Sequence, residues 1–144
     1  MDKWHPGPVI VDIGAGMGGT CRILAAEYGC EPIGIEYVQA NVNLANKISQ
    51  EVEMPEYVRL GDATKPLGVE NADGAILFGV LNSIPRSQKV LTLTNAYNCL
   101  KPGGLLFYED IVYKCLLEDF PELKHEDRDA NSHLFNASWF HCIR

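Results

Sequence analysis

The feature that most constrains the fold is a glycine-rich segment that directly follows a short apolar run. The run is Val9-Ile10-Val11-Asp12-Ile13, and glycines follow at positions 14, 16, 18 and 19. A short β-branched run that stops at glycines is typical of a buried parallel strand ending in a tight turn. The next segment, Thr20–Tyr28, has helical spacing and ends before Gly29, which suits a helix C-terminus. The sequence therefore predicts a strand, a glycine turn and a helix here.

The same alternation continues along the chain. Strands are predicted over 32–36, 57–60, 75–81 and 105–112, where short apolar runs are bounded by Gly, Pro or Asp. Helices are predicted from Val38 to before Pro55, and from an N-cap at Ser87 to before Pro102. Alternating strands and helices indicate an α/β fold with a doubly wound, mostly parallel sheet. Ligands of such sheets bind at the carboxyl ends of the strands.

Length and charge narrow the class of protein. The chain has 144 residues, 47% of them hydrophobic, and a formal net charge of −7. These values predict a single globular domain over residues 1–144. The sequence has no basic cluster that could replace the counterions of a phosphate backbone. We therefore expect no nucleic-acid partner.

The residue pattern predicts neither a membrane span nor a metal site. No apolar run approaches the roughly 20 residues that cross a bilayer. The opening residues MDKWHPGP lack the apolar centre of a secretory signal, so a cytoplasmic protein is expected. The five cysteines include no C-x-x-C pair, and the four histidines show no metal-ligand spacing. We expect reduced thiols and no bound metal.

Polar signals fall at the carboxyl ends of the first three predicted strands. They are the glycine segment 12–19, the pair Glu36-Tyr37 and the triplet Gly61-Asp62-Ala63. Glycines permit a tight turn and a close approach of backbone N–H groups to a ligand. An acid that ends the second strand occupies the place where dinucleotide-binding folds hold a ribose diol. Together these signals predict a ligand that contains adenosine.

Asp12 distinguishes two such ligands. The glycines alone also satisfy the dinucleotide pattern G-x-G-x-x-G, through Gly14, Gly16 and Gly19, and are compatible with NAD. A pyrophosphate on this turn would face the Asp12 carboxylate, and like charges in a partly desolvated site cost on the order of several kcal/mol. S-adenosylmethionine has no phosphate and carries sulfonium and ammonium cations. Asp12 therefore favours S-adenosylmethionine over NAD.

These residues, taken in order, resemble the class I S-adenosylmethionine-dependent methyltransferases. The family's motif D-x-G-x-G-x-G is unbroken over residues 12–18, and Lys101-Pro102-Gly103-Gly104 is similar to the turn before its fifth strand. The resemblance covers a core of about residues 9–112, and implies a Rossmann-like sheet of five strands in the order 3-2-1-4-5. The sequence also resembles, more loosely, the members of the class that act on small molecules. The resemblance implies cofactor-binding roles for Asp12, Gly14, Ala15, Gly16, Glu36, Tyr37, Asp62, Ala63, Phe78 and Gly79.

The resemblance also divides this set by the part of the cofactor that each residue would hold. The backbone of residues 14–16 would hold the methionine end, with Phe78 and Gly79 nearby. Glu36 would bind the ribose hydroxyls and Tyr37 would pack on adenine. The Asp62 side chain and the N–H group of the following alanine would read the edge of the adenine ring.

Each of the main candidates also has a structural interpretation. Asp12 could be an N-cap or turn carboxylate, and Glu36 a solvated strand-end acid. Asp62 could be a turn residue, because Gly-Asp pairs are common in turns. Tyr37 could be ordinary core packing.

The family pattern is expected to be incomplete at the C-terminus. Residues 113–144 are predicted to form a partial helical segment, and the antiparallel strand pair that completes the family's seven-stranded sheet is expected to be missing. The fifth strand would then be an apolar edge, covered by segment 113–144, a second copy or a partner chain. No catalytic residue is assigned, because Asn82 stands where many relatives carry His and cannot act as a general base.

The sequence leaves three functions open. The first is an S-adenosylmethionine-dependent methyltransferase that acts on a small molecule, or the cofactor-binding part of one. The second is a non-catalytic module that binds the same cofactor, as a truncated or regulatory form. The third, less favoured, is an NAD-dependent oxidoreductase.

Overall fold

The computed structural model describes residues 7–110, which form a single parallel sheet with flanking helices. The sheet has the strand order β3-β2-β1-β4-β5, and every neighbouring pair is parallel. The predicted fold class and strand order are thereby confirmed. The elements in chain order are β1 Val9–Ile13, α1 Gly19–Tyr28, β2 Glu31–Glu36, α2 Gln39–Glu51, β3 Val58–Leu60, β4 Ala72–Phe78, a 3₁₀ turn Leu81–Ser83, α3 Arg86–Asn98 and β5 Leu100–Glu109.

Side chains of β1 alternate between the two faces of the sheet. Val11 and Ile13 are fully buried in the larger core cluster, which also contains Ala96 of α3. Between them, Asp12 reaches Cys21 of α1, a member of the smaller cluster formed with α2 and β3. A parallel sheet covered on both faces explains the near-continuous apolar runs in the sequence. The arrangement also places one carboxylate inside the protein.

Three predicted boundaries are wrong. β5 spans Leu100–Glu109 and not 105–112, because residues 101–104, predicted as the turn before the strand, form an irregularity within it, between the paired residues Ala72 and Leu100 and the pair Gly74 and Leu105. β4 spans Ala72–Phe78 and not 75–81, because Gly79 has a φ of 66° that extended backbone does not allow. The predicted N-cap at Ser87 is replaced by Pro85, with no side-chain cap hydrogen bond. A proline before the first helical turn needs no amide partner there, so the helix starts earlier than a serine cap would set it.

The connection from β3 to β4 contains no helix. Residues 61–71 run as turns and bends and include Pro66, Gly68 with φ 65° and Asn71 with φ 59°. Proline and two left-handed residues in one short stretch are incompatible with a regular helix. This connection, which we call the β3–β4 loop, therefore forms one wall of the carboxyl edge without support from a helix of its own.

β5 lies at one edge of the described sheet, and Phe107 on it is 38% exposed. The predicted cover of this edge stays a prediction, because the segment 113–144 lies outside the described residues. The same holds for the predicted helix in that segment. Among residues 7–110, no helix combines the length and apolarity needed to span a bilayer.

Candidate cofactor-binding site

A cavity of about 640 Å³ opens at the carboxyl edge of the sheet, where β1 to β4 end. The structure brings six of the predicted site residues to its wall: Gly14, Glu36, Tyr37, Asp62, Ala63 and Gly79. Tyr37 is 73% exposed, so its interpretation as core packing is wrong. Six residues predicted separately thus line a single cavity, and the binding role of each stays a prediction.

Four predicted residues do not line this cavity: Asp12, Ala15, Gly16 and Phe78. Gly16 reaches the wall indirectly, through a hydrogen bond to a lining residue described below. Phe78 is 46% exposed and projects elsewhere. Asp12 is only 2% exposed and lies beneath the site.

The glycine turn is held by its own amides. The N–H groups of Gly14 and Ala15 both donate to the Ile35 carbonyl, at 2.8 Å and 3.1 Å. The N–H group of Gly16 donates to Oε2 of Glu36 at 2.9 Å. The N–H groups that were expected to approach a ligand closely thus donate to β2 in this structure. The Gly14 carbonyl accepts no hydrogen bond from residues 7–110.

Gly14 is required at its position for two reasons. Its φ of 77° lies in the left-handed region, where a side chain adds strain. A Cβ atom there would also lie 2.4 Å from Cγ2 of Val80. Gly79 follows the neighbouring strand β4 and has a φ of 66°, and a Cβ atom added there would meet no atom within 4 Å. At both positions, therefore, no side chain projects from the cavity wall.

Glu36 is buried and holds three elements together. Its Oε1 accepts hydrogen bonds from the N–H group of Val38 at 2.9 Å and from Nδ2 of Asn41 at 3.2 Å, while Oε2 accepts from Gly16. Only 7% of the residue is exposed, so the solvated-acid interpretation is wrong. Oε1 thus accepts two hydrogen bonds and Oε2 only one, so Oε2 can accept a further bond from a hydroxyl group of a sugar.

Asp12 is a buried acid with a weak partner. The Cys21 thiol donates to Oδ2 at 3.4 Å, and α1 is capped by Gly18, so Asp12 is not the N-cap. Burial, with nearby Glu36 adding to it, raises the pKa of Asp12 to about 6 in spite of the thiol bond. Burial first, and then Asp12 itself, raises the pKa of the Cys21 thiol, which stays protonated as the donor.

Asp62, unlike Asp12, accepts two short hydrogen bonds from a neighbouring residue. Its Oδ1 accepts from both the hydroxyl and the N–H group of Thr64, at 2.7 Å and 2.9 Å. These hydrogen bonds lower the pKa of Asp62. Asp62 is therefore a turn residue, as its structural interpretation predicted, and also part of the cavity wall. Its Oδ2 accepts no hydrogen bond from the described residues.

Several lining residues were not predicted from the sequence. Thr64 and Lys65 follow the predicted triplet, and Val80, Ser83, Ile84, Pro85 and Gln88 come from the segment after β4. Thr64 had a signal, since Asp followed two residues later by Thr is typical of side-chain-to-backbone turns. The segment after β4 had none, because its position depends on where that strand ends. Asn82 does not line the cavity, and its N–H group donates to Asp110.

The charge on the wall suits a cationic ligand. The wall carries the acids Glu36 and Asp62 and a single lysine, Lys65, and the buried Asp12 adds another carboxylate close beneath.

Comparison with known proteins identifies the family of this chain. A family model described as a methyltransferase domain matches residues 5–143. The chain belongs to this methyltransferase family.

Individual relatives agree with the family. The domain is 30% identical over 133 residues to an arsenite methyltransferase of Halobacterium salinarum, covering 87% of this chain and 32% of that protein. It is 31% identical over 121 residues to 24-methylenesterol C-methyltransferase 2 of Oryza sativa, covering 81% and 33%. The chain therefore spans about a third of the length of these curated relatives.

The fold agrees as well. The PH0226 protein of Pyrococcus horikoshii superposes with a TM-score of 0.71 at 22% identity, over 82% of this chain and 56% of that one. Membership of the methyltransferase family gives S-adenosylmethionine as the cofactor, as the sequence predicted. The acidic wall, the flat glycine positions and the preoriented Glu36 fit such a group.

Proposed function

We propose that the domain binds S-adenosylmethionine in the cavity at the carboxyl edge and that the protein transfers its methyl group to a small molecule. The methionine end would lie against the glycine turn, beside Gly14 and Gly79. The ribose would lie on Glu36, and the adenine between Tyr37 and the β3–β4 loop. This placement supports the binding roles that the sequence predicts.

The main support for this proposal is that the amides of the glycine turn already donate hydrogen bonds within the protein. A pyrophosphate is bound at such a turn by free N–H groups. In this structure the N–H groups of Gly14, Ala15 and Gly16 already donate hydrogen bonds to β2. The groups that remain at the turn are a carbonyl and nearby carboxylates. Carbonyl and carboxylate oxygens stabilise ammonium and sulfonium groups and repel phosphate. This observation favours S-adenosylmethionine and disfavours an NAD-dependent oxidoreductase.

The chemistry asks little of the protein beyond positioning. When bound, S-adenosylmethionine supplies an electrophilic methyl group on a positively charged sulfur. The residues of the cavity wall orient the cofactor and exclude water from one side, which contributes through proximity and alignment. A general base is needed only where the acceptor must lose a proton. The absence of an assigned catalytic residue is therefore compatible with methyl transfer.

A small-molecule acceptor is supported by the wall next to Gly79. The residues that follow β4 on this wall are Val80, Ser83, Ile84, Pro85 and Gln88, and none of them is ionisable. The named relatives include arsenite and sterol methyltransferases. A neutral, partly apolar wall is suited to an acceptor without a strong charge of its own.

Binding is tested first. Isothermal titration of the 144-residue chain should show binding of S-adenosylhomocysteine and none of NADH. Saturation at about 100 times Kd should stabilise the chain by about 2.7 kcal/mol. Glu36→Gln should weaken binding about 10-fold to 100-fold, because it replaces a charged acceptor with an amide. Glu27→Gln, on the exposed surface of α1, is the matched control.

Transfer is tested second, with methyl-labelled S-adenosylmethionine and a panel of small acceptors. Labelled product supports the enzyme. Binding without product favours the non-catalytic module. A folded chain that binds NADH and ignores S-adenosylhomocysteine would overturn the proposal.

A further inference from the structure

We infer that Asn95 is a positioning residue for the adenine end of the site, and this inference rests on the proposed function. Asn95 lies on α3 and does not line the cavity. Its Nδ2 donates a hydrogen bond of 2.9 Å to the carbonyl of Ala63, which is 32 residues away in sequence and does line it. The residue therefore acts on the ligand only through the β3–β4 loop.

The bond to Asn95 acts on one particular peptide group. The Ala63 carbonyl and the Thr64 N–H group belong to the same planar unit. At one end this unit accepts from Asn95, and at the other it donates to Oδ1 of Asp62 at 2.9 Å. The three groups thus form a continuous chain of hydrogen bonds from helix α3 to a carboxylate on the cavity wall. Hydrogen bonds linked in this way polarise and strengthen one another.

The other polar contacts of the turn are local or reach only β2. The Thr64 hydroxyl bonds to Asp62, and the Lys65 N–H group donates to the Asp62 carbonyl at 2.9 Å. The Gly61 N–H group donates to the Glu36 carbonyl at 2.9 Å. These bonds fix the shape of the turn and its departure from the sheet. Among the described residues, Asn95 provides the side-chain hydrogen bond that ties the turn to α3.

Asn95 is itself well anchored. Its neighbours on the helix, Thr92 and Ala96, are fully buried, and Ala96 belongs to the main core cluster. The Asn95 side chain therefore extends from a fixed backbone position. The β3–β4 loop lacks a helix and cannot supply comparable rigidity from within.

The bonds leave one oxygen of Asp62 for a ligand. Oδ1 already accepts two hydrogen bonds, so Oδ2 is the oxygen that can accept from an amine on the adenine ring. If Asn95 loses its donor, the peptide unit is released at one end and the direction of Oδ2 is no longer set. Recognition of the amine should suffer more than overall binding.

The test compares two ligands that differ at the edge of the ring that carries the amine. Kd is measured by isothermal titration for S-adenosylhomocysteine and for S-inosylhomocysteine, in which a carbonyl replaces the amine and N1 carries a proton. Each ligand is compared between wild type and variant, so that the change at N1 is common to both measurements. Asn95→Leu should raise Kd for the adenosine ligand about 10-fold and for the inosine ligand less than about 3-fold, since one hydrogen bond to an amine is affected. Asn98→Leu, on the exposed end of α3, should change neither. An equal loss for both ligands would overturn the inference.

A second readout needs no ligand. The pKa of Asp62, followed by carbon NMR of its carboxyl group, should rise toward its ordinary value in Asn95→Leu, because the Thr64 N–H bond is weakened. Asn95→Ala, which removes the donor without adding a charge, serves if the leucine variant does not fold. An unchanged pKa of Asp62 in a folded variant contradicts the inference. Failure of the wild-type chain to bind S-adenosylhomocysteine contradicts the proposed function alone.

Discussion

Asp12 lies next to the last residue of β1 and Asp62 two residues after β3, yet the environments of the two carboxylates have opposite effects on them. Asp12 is 2% exposed with a thiol as partner, and burial raises its pKa to about 6. Asp62 is half-buried at the cavity wall, and two bonds from Thr64 lower its pKa. The first acid therefore costs the fold stability when it is ionised, whereas the second is stabilised as a charge by its own turn.

This difference extends to the surroundings of each acid. The side that contains Asp12 is built from strands, a glycine turn with fixed backbone angles and a buried carboxylate. The side that contains Asp62 is a loop without a helix, held by polar bonds. We expect substitutions on the first side to change folding and substitutions on the second to change ligand recognition.

The largest effect is expected from Gly14→Ala. Left-handed strain and a Cβ atom 2.4 Å from Val80 together should lower the free energy of unfolding by about 3 kcal/mol. Urea denaturation measures the change. Gly16→Ala is the matched control, because its φ of 54° is also left-handed but its Cβ would meet no atom within 4 Å. Equal losses in the two variants would show that contact with Val80 is not the cause.

A smaller effect, of opposite sign, is expected from Asp12→Asn. Because the folded pKa lies above the ordinary value of 3.8, folded chains hold more protons between about pH 4 and pH 6, so stability falls as pH rises through that window. The variant should be roughly 2 to 3 kcal/mol more stable than the wild type at pH 7.5 and equal to it near pH 4. Urea denaturation at both pH values measures this.

Asp62→Asn is the comparison for that experiment. Its lowered pKa stabilises the fold above the ordinary pKa, and this contribution disappears as pH falls. The variant should therefore lose stability at pH 7.5. If both substitutions shift stability in the same direction, the contrast between the two acids is wrong.

The smallest effect is expected from Thr64→Val, which removes the hydroxyl bond to Asp62 and keeps the backbone bond. The pKa of Asp62 should rise, and the affinity for S-adenosylhomocysteine should fall about threefold, as one partly exposed hydrogen bond is lost. NMR titration and isothermal titration measure the two changes. Thr94→Val is the control, since that hydroxyl bonds only to the Val90 carbonyl within α3. Equal changes in both variants would show that Thr64 has no specific role in the site.

The sequence predicts the parts of the molecule that depend on local pattern. The alternation of strands and helices, the glycine turn and the acids at the end of β2 and just after β3 follow from short runs that carry their own signal. The strand order was implied by the family resemblance. Gly29 illustrates this, because it was expected at the end of α1 and caps that helix with a φ of 63°.

The parts that were missed depend on partners distant in sequence. The amides of the glycine turn were expected to approach a ligand, and the hydrogen bonds of two of them to the Ile35 carbonyl follow only from the pairing of β1 with β2. Asn95 has no recognisable motif, because its role comes from a carbonyl 32 residues away. The burial of Asp12 likewise follows from the packing of α1 and not from the motif around it.

The three hydrogen bonds that Glu36 accepts bear on how it would bind the ribose of the proposed ligand. Two of the donors, the Val38 N–H group and the Asn41 amide, come from the start of α2, where the helix dipole is positive. The protein therefore stabilises and orients this carboxylate before any ligand arrives. A neutral diol can dock on it without bringing a cation, and a nucleoside with blocked or missing hydroxyls would gain nothing from the same surface.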